Sequence, residues 1–548
     1  MRKSLNFVKI LKSDKSVVLL IAIIAFYLAL LLCLPLRTTL QFLTLTTAFL
    51  CFPLSAAYHR LKNFTIKSQK HKPISFWYFF LINLAVFSVY FYATYPGYIS
   101  PDTVYQWSEV QKAHFSDWHP AIHIMIIWCL TRICNKFQFV LIFQAFVFMI
   151  LNSSLCYEMS KLGLSKKLSK WVFFLTIISP ATCSLMMTIW KDISFAISVL
   201  GLTEILILTY FSGGRWIKSN LHSIIFGIVL ALATMLRHNG ILFTLPFAVV
   251  FLYLFFCKYV LRSLIIAVCL VIFVKFPLYS YLEVSPHPQP QAEMCGLPMT
   301  VLSEIFVNNP SVLDQETTDF LLSIENRDTW MKKYESGSWN SIKYLSPHNK
   351  DNLTTVTNQK LTKFSMQKIL LKAIKSGFQD HKNTLNALIN LTGLVWRITI
   401  FPNNPSHIHP INSYNTSIYT GYLLGEELKN YSEINQQIKY INHDSALKGI
   451  LQIIIIFFSF IFCIFWCPGI YLLLLILSAF FSFHRLRWKS FLIISPILVY
   501  NFGTMLLLCG YNDFRFFFFN VLITFPYMFL LFADKKFITN QSEKFSKK

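Results

Sequence analysis

Residues 16–35 read SVVLLIAIIAFYLALLLCLP and contain no charged side chain. A helix of about 20 apolar residues crosses the hydrocarbon core of a bilayer, which is roughly 30 Å thick. The run has full crossing length and no secretory cleavage site follows it, so we expect a retained membrane helix rather than a signal peptide. Comparable apolar runs recur along the chain as far as Phe532. The repetition predicts an all-α polytopic membrane protein.

Twelve apolar runs have the length expected of membrane crossings. They lie near residues 17–35, 39–57, 75–95, 137–155, 170–189, 192–211, 221–236, 240–257, 260–280, 448–467, 490–509 and 515–533. Two further apolar stretches, 119–131 and 470–483, are expected to be re-entrant or interfacial helices. If they crossed, the basic loops 161–170 and 535–548 would lie outside the cytoplasm, against the positive-inside rule. Twelve crossings place both termini in the cytoplasm.

The overall charge supports a membrane setting. The chain is 55% hydrophobic and 14% charged, whereas soluble globular domains carry about 25% charged residues. A net charge of +24 would suggest nucleic-acid binding in a soluble protein. Here the basic residues concentrate in short loops between apolar runs, so we attribute the charge to membrane orientation and expect no nucleic-acid partner.

One long polar stretch divides the chain into three parts. Residues 281–447 hold 14 basic and 15 acidic side chains, so nearly all of the positive excess lies elsewhere. This stretch is long enough to fold against the membrane surface as a mixed, mainly helical external domain. The predicted organisation is therefore an N-terminal transmembrane module at 1–280, the external domain at 281–447, and a C-terminal transmembrane module with a basic cytoplasmic tail at 448–548.

The first external loop, residues 96–119, is rich in turn formers, aromatic side chains and carboxylates. Asp102 follows a Ser-Pro turn just outside a helix end. Gln106 comes one helical turn later, so that a carboxylate and an amide are presented together. Asp117 and His119 lie at the end of the loop. A carboxylate placed in this way is suited to accept a proton from a reacting hydroxyl. The alternative is a helix N-cap, in which Ser100 or Asp102 accepts hydrogen bonds from free amides.

Further ionisable residues lie at the ends of later apolar runs. Lys191 and Asp192 fall between two runs, where an ionisable pair costs free energy unless it is solvated, paired or functional. Arg237 and His238 form a second external turn, and Arg515 begins the last run. The planar guanidinium groups of the arginines can donate paired hydrogen bonds to a phosphate or a carboxylate. The alternatives are an interfacial anchor for Lys191, and a loop charge or structural ion pair for each arginine.

Metal binding is weakly indicated. His119 and His123 are one helical turn apart, a spacing that permits metal binding, but the sequence offers no evident further ligand. The twelve cysteines are scattered without a CxxC motif. We expect a structural or substrate-contacting role for the two histidines and assign no metal site.

Five short motifs resemble those of a known superfamily. They are Pro-Gly-x-x-x-x-Asp-Thr-x-x-Gln at 96–106, Asp-Trp-His-Pro at 117–120, Trp-Lys-Asp at 190–192, Arg-His-Asn-Gly at 237–240 and Asp-x-Arg-Phe at 513–516. With the external domain, they resemble the polytopic GT-C glycosyltransferases, such as protein O-mannosyltransferases and bacterial aminoarabinose transferases of lipid A. The chain is most similar to a family of bacterial GT-C-like membrane proteins. That superfamily often has an acidic pair in its first loop, whereas Asp102 is followed by threonine and Asp117 lies fifteen residues away.

The resemblance implies a function. The donor would be a sugar on a polyprenyl phosphate, transferred to an unknown envelope acceptor at the outer face of the cell membrane, with residues 281–447 extracytoplasmic. Asp102 would accept the proton of the acceptor hydroxyl, with Asp117 and Asp192 as further catalytic carboxylates. The residues implied to bind substrate or phosphate are Gln106, His119, Lys191, Arg237, His238 and Arg515. The resemblance does not specify a cofactor, and it is compatible with a bound divalent cation. Membrane lipids are the remaining partners that it implies.

Two other classes of protein fit the same pattern. A transporter or flippase of lipid-linked glycans would also have many helices with membrane-level charges, and would usually carry polar residues near the membrane midplane. In this chain the ionisable residues collect at the ends of the runs, which favours a surface-level site. A non-catalytic membrane assembly protein, with residues 281–447 as its binding domain, is the third alternative.

Overall fold

The structure is a computed structural model that describes residues 15–33, 40–95, 97–98, 100–287, 290–346, 355–398, 446–507 and 514–534. All regular structure in these residues is helical, and the β-pairing consists of isolated bridges. The predicted all-α fold is therefore confirmed for the described part of the chain. Both termini and Asp513 of the last motif lie outside the described residues.

Twelve helices make up the first part of the chain as far as the structure describes it. They are α1 (Lys15–Cys33), α2 (Leu40–Leu61), α3 (Phe76–Thr94), α4 (Pro101–Lys112), α5 (Ala121–Ile133), α6 (Phe137–Lys161), α7 (Lys166–Ile177), α8 (Pro180–Met186), α9 (Lys191–Phe211), α10 (Asn220–Met235), α11 (Ile241–Phe255) and α12 (Lys258–Phe273). A π-helical turn at Val274–Leu278 extends α12 to Tyr281. Pro277 lies in this turn, where its missing N–H interrupts the regular hydrogen-bond ladder.

The described residues of the rest of the chain contain eight helices of the external domain followed by four C-terminal helices. Those of the external domain are α13 (Pro290–Met294), α14 (Gly296–Asn308), α15 (Gln315–Ile324), α16 (Arg327–Lys333), α17 (Trp339–Lys343), α18 (Val356–Phe364), α19 (Met366–Gln379) and α20 (His381–Trp396). The C-terminal ones are α21 (Ala446–Ile461), α22 (Pro468–Leu486), α23 (Lys489–Leu507) and α24 (Phe519–Phe532). A 3₁₀ turn, Phe514–Phe517, precedes α24.

Eight helical segments of the described chain are long and apolar enough to cross a membrane. They are α2, α3, α6, α9, α12 with its extension, α22, α23 and the segment Phe514–Phe532 that contains α24. Helices α7 and α8 form a pair bent by 54°, which makes a ninth segment if the pair is one span. The apolar parts of α1, α5, α10, α11 and α21 have only 10–17 residues. The fold is that of a chain able to pass a membrane many times, and the number twelve stays a prediction.

One segment differs from its expected form. The stretch 470–483 was expected to be re-entrant or interfacial, because a crossing there would oppose the positive-inside rule and because Pro468 and Gly469 interrupt the chain before it. In the structure it belongs to α22, whose 19 residues meet the length and apolarity of a span. Pro468 lies at the helix start, where a missing N–H costs no hydrogen bond, so it begins the helix instead of breaking it.

The membrane-length helices and the external domain have different apolar cores. The larger core includes buried side chains of α9, α23 and α24, and a smaller one lies within α13–α20. Helix α20 joins them, because Ala387 is buried in the smaller core and Val395 in the larger one. The described part of residues 281–447 is thus a helical domain seated on α22 and α23 through α20.

Candidate functional site

The start of α4 sets the position of Asp102. Ser100 caps the helix, since its hydroxyl accepts a hydrogen bond from the Thr103 amide at 3.2 Å. The Trp190 indole donates to the same hydroxyl at 2.7 Å and ties the cap to the start of α9. Because Ser100 performs the capping, the Asp102 carboxylate is directed to other partners, and the N-cap alternative for Asp102 is wrong.

Asp102 forms an ion pair with Arg515, which lies 413 residues away in the chain. The guanidinium donates to Oδ2 at 2.6 Å, and the Asp102 side chain remains 31% exposed. Oδ1 lies 4.0 Å from Nε2 of His119. Burial would raise the pKa of Asp102, but the charges of Arg515 and Lys191 outweigh it and hold the pKa well below its usual range. Asp102 is therefore an ionised, partly accessible carboxylate.

His119 connects Asp102 to Lys191. The Lys191 ammonium donates to Nδ1 of His119 at 2.7 Å. The pKa of His119 lies well below its ordinary value, first because the ring is buried and second because Lys191 is positive. A neutral ring that accepts at Nδ1 carries its proton on Nε2. Nε2 lies on the side of Asp102 but beyond hydrogen-bond distance, so the neutral ring lies beside the carboxylate without adding a charge.

Asp192 and Arg237 form a buried ion pair behind Asp102. Both side chains are at least nine-tenths buried, and the guanidinium donates directly to Oδ1 of Asp192. Nε of Arg237 also donates to Asn239 at 3.0 Å. The other Asp192 oxygen lies 3.8 Å from Nε of Arg515. Asp192 therefore stands between the two arginines.

Aromatic rings fix the planes of both arginines. The Arg515 guanidinium lies over the Trp190 ring at 4.6 Å, and that of Arg237 lies over the Phe516 ring at 4.6 Å. Such stacking limits how each planar fork can turn. We call Asp102, His119, Lys191, Asp192, Arg237 and Arg515 the central cluster. It contains three cations, two carboxylates and a neutral imidazole, so its formal charge is +1.

Asp117 lies in a separate arrangement. Its carboxylate accepts from Lys275 at 3.1 Å, from the Tyr279 hydroxyl at 3.2 Å and from the Ala121 amide at 3.2 Å. It thus binds the first amide of α5 and anchors the end of the first loop to the extension of α12. Nε2 of His238 donates to the Trp118 carbonyl at 3.2 Å, beside this arrangement. These contacts favour positioning roles for Asp117 and His238.

Gln106 follows Asp102 by one turn of α4, as predicted, but it has no hydrogen-bonded contact to the central cluster. The side chain is buried, and neither amide atom has a hydrogen-bond partner among the described residues. A buried amide without a partner is costly, so its presence needs an explanation.

Sequence reasoning missed the residues that surround Asp117 and Trp118. Lys275 lies inside an apolar run, and an ionisable residue in such a run is itself a signal of function. From the external domain, Lys343 pairs with Glu293 and lies 5.7 Å from the Trp118 ring. Neither Lys343 nor Glu293 carries a local sequence signal, because their roles depend on how the domain folds back onto the first loop.

Comparisons of the chain with protein-family models, with curated proteins and with solved structures find no match. The likeness to GT-C glycosyltransferases therefore rests on the five sequence motifs. What the site can do is inferred from its own geometry.

A protein-held metal has little support in the described residues. They contain no group of three or more histidine, cysteine, aspartate or glutamate side chains placed to hold a metal ion. The carboxylates of Asp102 and Asp192 are directed at arginines. A cationic cluster of this kind is better suited to an anion than to a divalent cation.

The burial of Glu109 in α4 can be tested through the pH dependence of the protein's stability. Burial raises the pKa of this carboxyl to about 7, although hydrogen bonds from Ser116 and Tyr105 act in the opposite direction. In an unfolded chain the pKa is about 4.3. Because the folded value is higher, the protonated form stabilises the fold, and this contribution is lost as the pH rises towards the folded pKa.

We therefore expect the melting temperature of the wild-type protein to fall between roughly pH 5 and pH 7. Glu109→Gln, which is neutral at every pH, should show a smaller fall. Thermal unfolding in detergent at several pH values measures both slopes. If the melting temperature changes equally with pH in the two proteins, the assignment of a raised pKa to Glu109 is wrong.

Proposed function

We propose that the protein is a membrane glycosyltransferase that moves a sugar from a polyprenyl phosphate to an acceptor at the outer face of the cell membrane. The observation that carries the proposal is the ion pair between Asp102 and Arg515, with His119 and Lys191 beside it. It brings a partly exposed carboxylate and several cations into one site. Proton acceptance and phosphate binding are the two tasks that this transfer needs.

The charge of the central cluster favours a phosphate ligand. Its formal charge of +1 is balanced by the single negative charge of a sugar phosphodiester. When the glycosidic bond breaks, the leaving phosphate monoester carries roughly one further negative charge. Lys191, Arg237 and Arg515 stabilise this developing charge, because interactions that strengthen in the transition state lower the barrier.

The proposed transfer forms one bond and breaks another. The acceptor hydroxyl oxygen attacks the anomeric carbon, and the bond between that carbon and the phosphate oxygen breaks with its electrons going to the phosphate. The hydroxyl proton passes to Asp102. Protonation removes the charge that holds Arg515, so Arg515 can turn its interaction towards the phosphate as the phosphate gains charge. The total charge of the site stays constant during transfer.

The other predicted site residues have supporting roles in this proposal. Asp192 orients Arg237 and Arg515. Asp117 fixes the end of the first loop, and the external domain covers it through Lys343 and Trp118. Twelve crossings, cytoplasmic termini and an extracytoplasmic location of 281–447 belong to the same proposal, with membrane lipids and an unknown envelope acceptor as partners.

One observation favours the alternative of transport. Helices α7 and α8 are bent by 54° at a break of a few residues, and broken helices are typical of transporters. A flippase would move a lipid-linked glycan between leaflets without breaking its glycosidic bond. Vesicles containing the protein and a fluorescent lipid-linked sugar distinguish the two functions, since a flippase changes the leaflet of the probe and leaves it intact.

Phosphate binding gives a direct prediction for Arg515. We expect Arg515→Gln to weaken the binding of farnesyl phosphate about ten- to a hundredfold, because a charge-assisted hydrogen bond contributes about 1.5–3 kcal/mol. Calorimetric titration of the detergent-solubilised protein measures the dissociation constant. The matched control is Arg327→Gln, in the external domain outside the central cluster, which should bind as the wild type does. Equal binding by all three proteins would contradict the proposal.

A further inference from the structure

Helices α4 and α5 lie side by side and run in the same direction. At the site end, Asp102 near the start of α4 lies 4.0 Å from His119, just before α5. At the far end, the amides of Gln111 and Asn135 form two reciprocal hydrogen bonds of 2.9 and 3.1 Å. Contacts at both ends hold the two helices against each other. The parts of α4 and α5 that follow Asp102 and His119 therefore lie next to the central cluster.

Gln106 and His123 lie in these parts of the helices. Gln106 follows Asp102 by four residues in α4, and His123, in the first turn of α5, follows His119 by four residues. Gln106 is 1% exposed and His123 is 2% exposed. Among the described residues, neither Gln106 amide atom nor Nδ1 of His123 has a hydrogen-bond partner. Buried polar atoms are almost always paired in folded proteins, so this pair of side chains has unused hydrogen-bonding capacity beside the central cluster.

The chemistry of these groups selects among ligands. A phosphate oxygen only accepts hydrogen bonds, whereas the Gln106 amide both donates and accepts. A hydroxyl group also does both, so a polyhydroxylated ring satisfies Gln106 and His123 together where phosphate cannot. A site that leaves buried polar groups unpaired without its ligand also discriminates strongly against analogues that lack the matching hydroxyl.

We propose that Gln106 and His123 form the subsite that binds hydroxyl groups of the transferred sugar, next to the central cluster. The inference rests on the proposed function and adds to it the part of the substrate that these residues recognise. The phosphate is bound by the arginines of the central cluster, and the sugar hydroxyls by Gln106 and His123. The subsite therefore sets sugar preference while the arginines set affinity for the lipid phosphate.

The test compares binding of two kinds of probe to the full-length protein in detergent. One probe is farnesyl phosphate, and the others are farnesyl phosphates that carry glucose, mannose or N-acetylglucosamine. We expect the wild type to bind at least one sugar-bearing probe about tenfold more tightly than farnesyl phosphate. Gln106→Leu should lose this preference and keep its affinity for farnesyl phosphate. His123→Phe should do the same and serves if the first variant folds poorly.

A stability measurement separates this role from a structural one. Because the Gln106 amide has no partner, Gln106→Leu should melt at the same temperature as the wild type or higher. The control Gln111→Ala removes an amide from the far end of the same helix and should retain the sugar preference. A lower melting temperature for Gln106→Leu would indicate a structural role and overturn the subsite.

The binding results distinguish failure of the sugar subsite from failure of the proposed function on which it rests. If Gln106→Leu retains the sugar preference, or the wild type binds farnesyl phosphate with no preference for any sugar, the subsite is overturned and the phosphate site stands. If the wild type binds none of the probes, the proposed function fails and the subsite fails with it.

Discussion

Arg237→Leu is expected to destabilise the protein by about 3–5 kcal/mol. The substitution leaves the Asp192 carboxylate without its buried partner, at 1% side-chain exposure. Breaking one side of a buried ion pair is costly because the remaining charge has lost its hydrogen-bonded partner and cannot reach water. Thermal or denaturant unfolding of the detergent-solubilised protein measures the loss.

A second substitution tests whether the buried charge is the cause. The double variant Asp192→Asn with Arg237→Leu removes the uncompensated carboxylate and should recover a large part of the lost stability. The control is Lys368→Ala, which breaks the exposed pair of Lys368 and Glu316 and should leave the melting temperature nearly unchanged. If Arg237→Leu unfolds like the wild type, the pair does not hold the site together.

Asp102→Asn is expected to lower sugar transfer about 10²- to 10⁴-fold, the range that a positioned general base contributes. Asparagine keeps the size of the side chain and cannot accept the hydroxyl proton. Because Asp102 is partly exposed, the fold should tolerate the change. Initial rates at saturating donor, together with circular dichroism and melting curves, separate lost chemistry from lost structure.

Two further measurements sharpen this result. Asp314→Asn, which alters an ion-paired carboxylate of the external domain, should transfer sugar at the wild-type rate. The wild-type rate should also change little between about pH 5 and pH 7, because the pKa of Asp102 lies below its usual range and the carboxylate stays ionised throughout. A loss of rate on acidification within that interval would assign the base to another group.

The helices could be located from sequence more readily than the membrane crossings could be counted. Each of the twelve predicted runs coincides with a helix or, at 170–189, with the bent pair α7 and α8. The length of an apolar run is a local property, so it can be read directly from a single sequence. Whether a helix as short as α10 or α11 crosses depends on its neighbours, and the correction at 470–483 arose because a proline that starts a helix looks like one that interrupts it.

The sequence predicts which residues contribute to the site, but it does not predict how they pair in space. Polar residues at the ends of apolar runs are visible in the sequence, and six of them meet in the central cluster. The pairing of Asp102 with Arg515 spans 413 residues, so no local pattern specifies it. The same limit explains why Asp117 could not be assigned to Lys275 and Tyr279, which lie on the extension of α12.

The capping of α4 shows how a local ambiguity is resolved by tertiary structure. Both Ser100 and Asp102 are good N-cap residues, and the sequence alone does not choose between them. The Trp190 indole, which belongs to the start of α9, donates to Ser100. This contact fixes Ser100 as the cap and leaves Asp102 to pair with Arg515.

The most direct test of the central proposal is the fate of the bond between sugar and phosphate. Purified wild-type protein in lipid nanodiscs is offered a panel of polyprenyl-phosphate sugars labelled in the sugar, and release or transfer of the label is measured. The proposal predicts that at least one donor loses its sugar in the presence of the wild type and that Asp102→Asn nearly abolishes the reaction. Donors that bind to the wild type and all remain intact would contradict it.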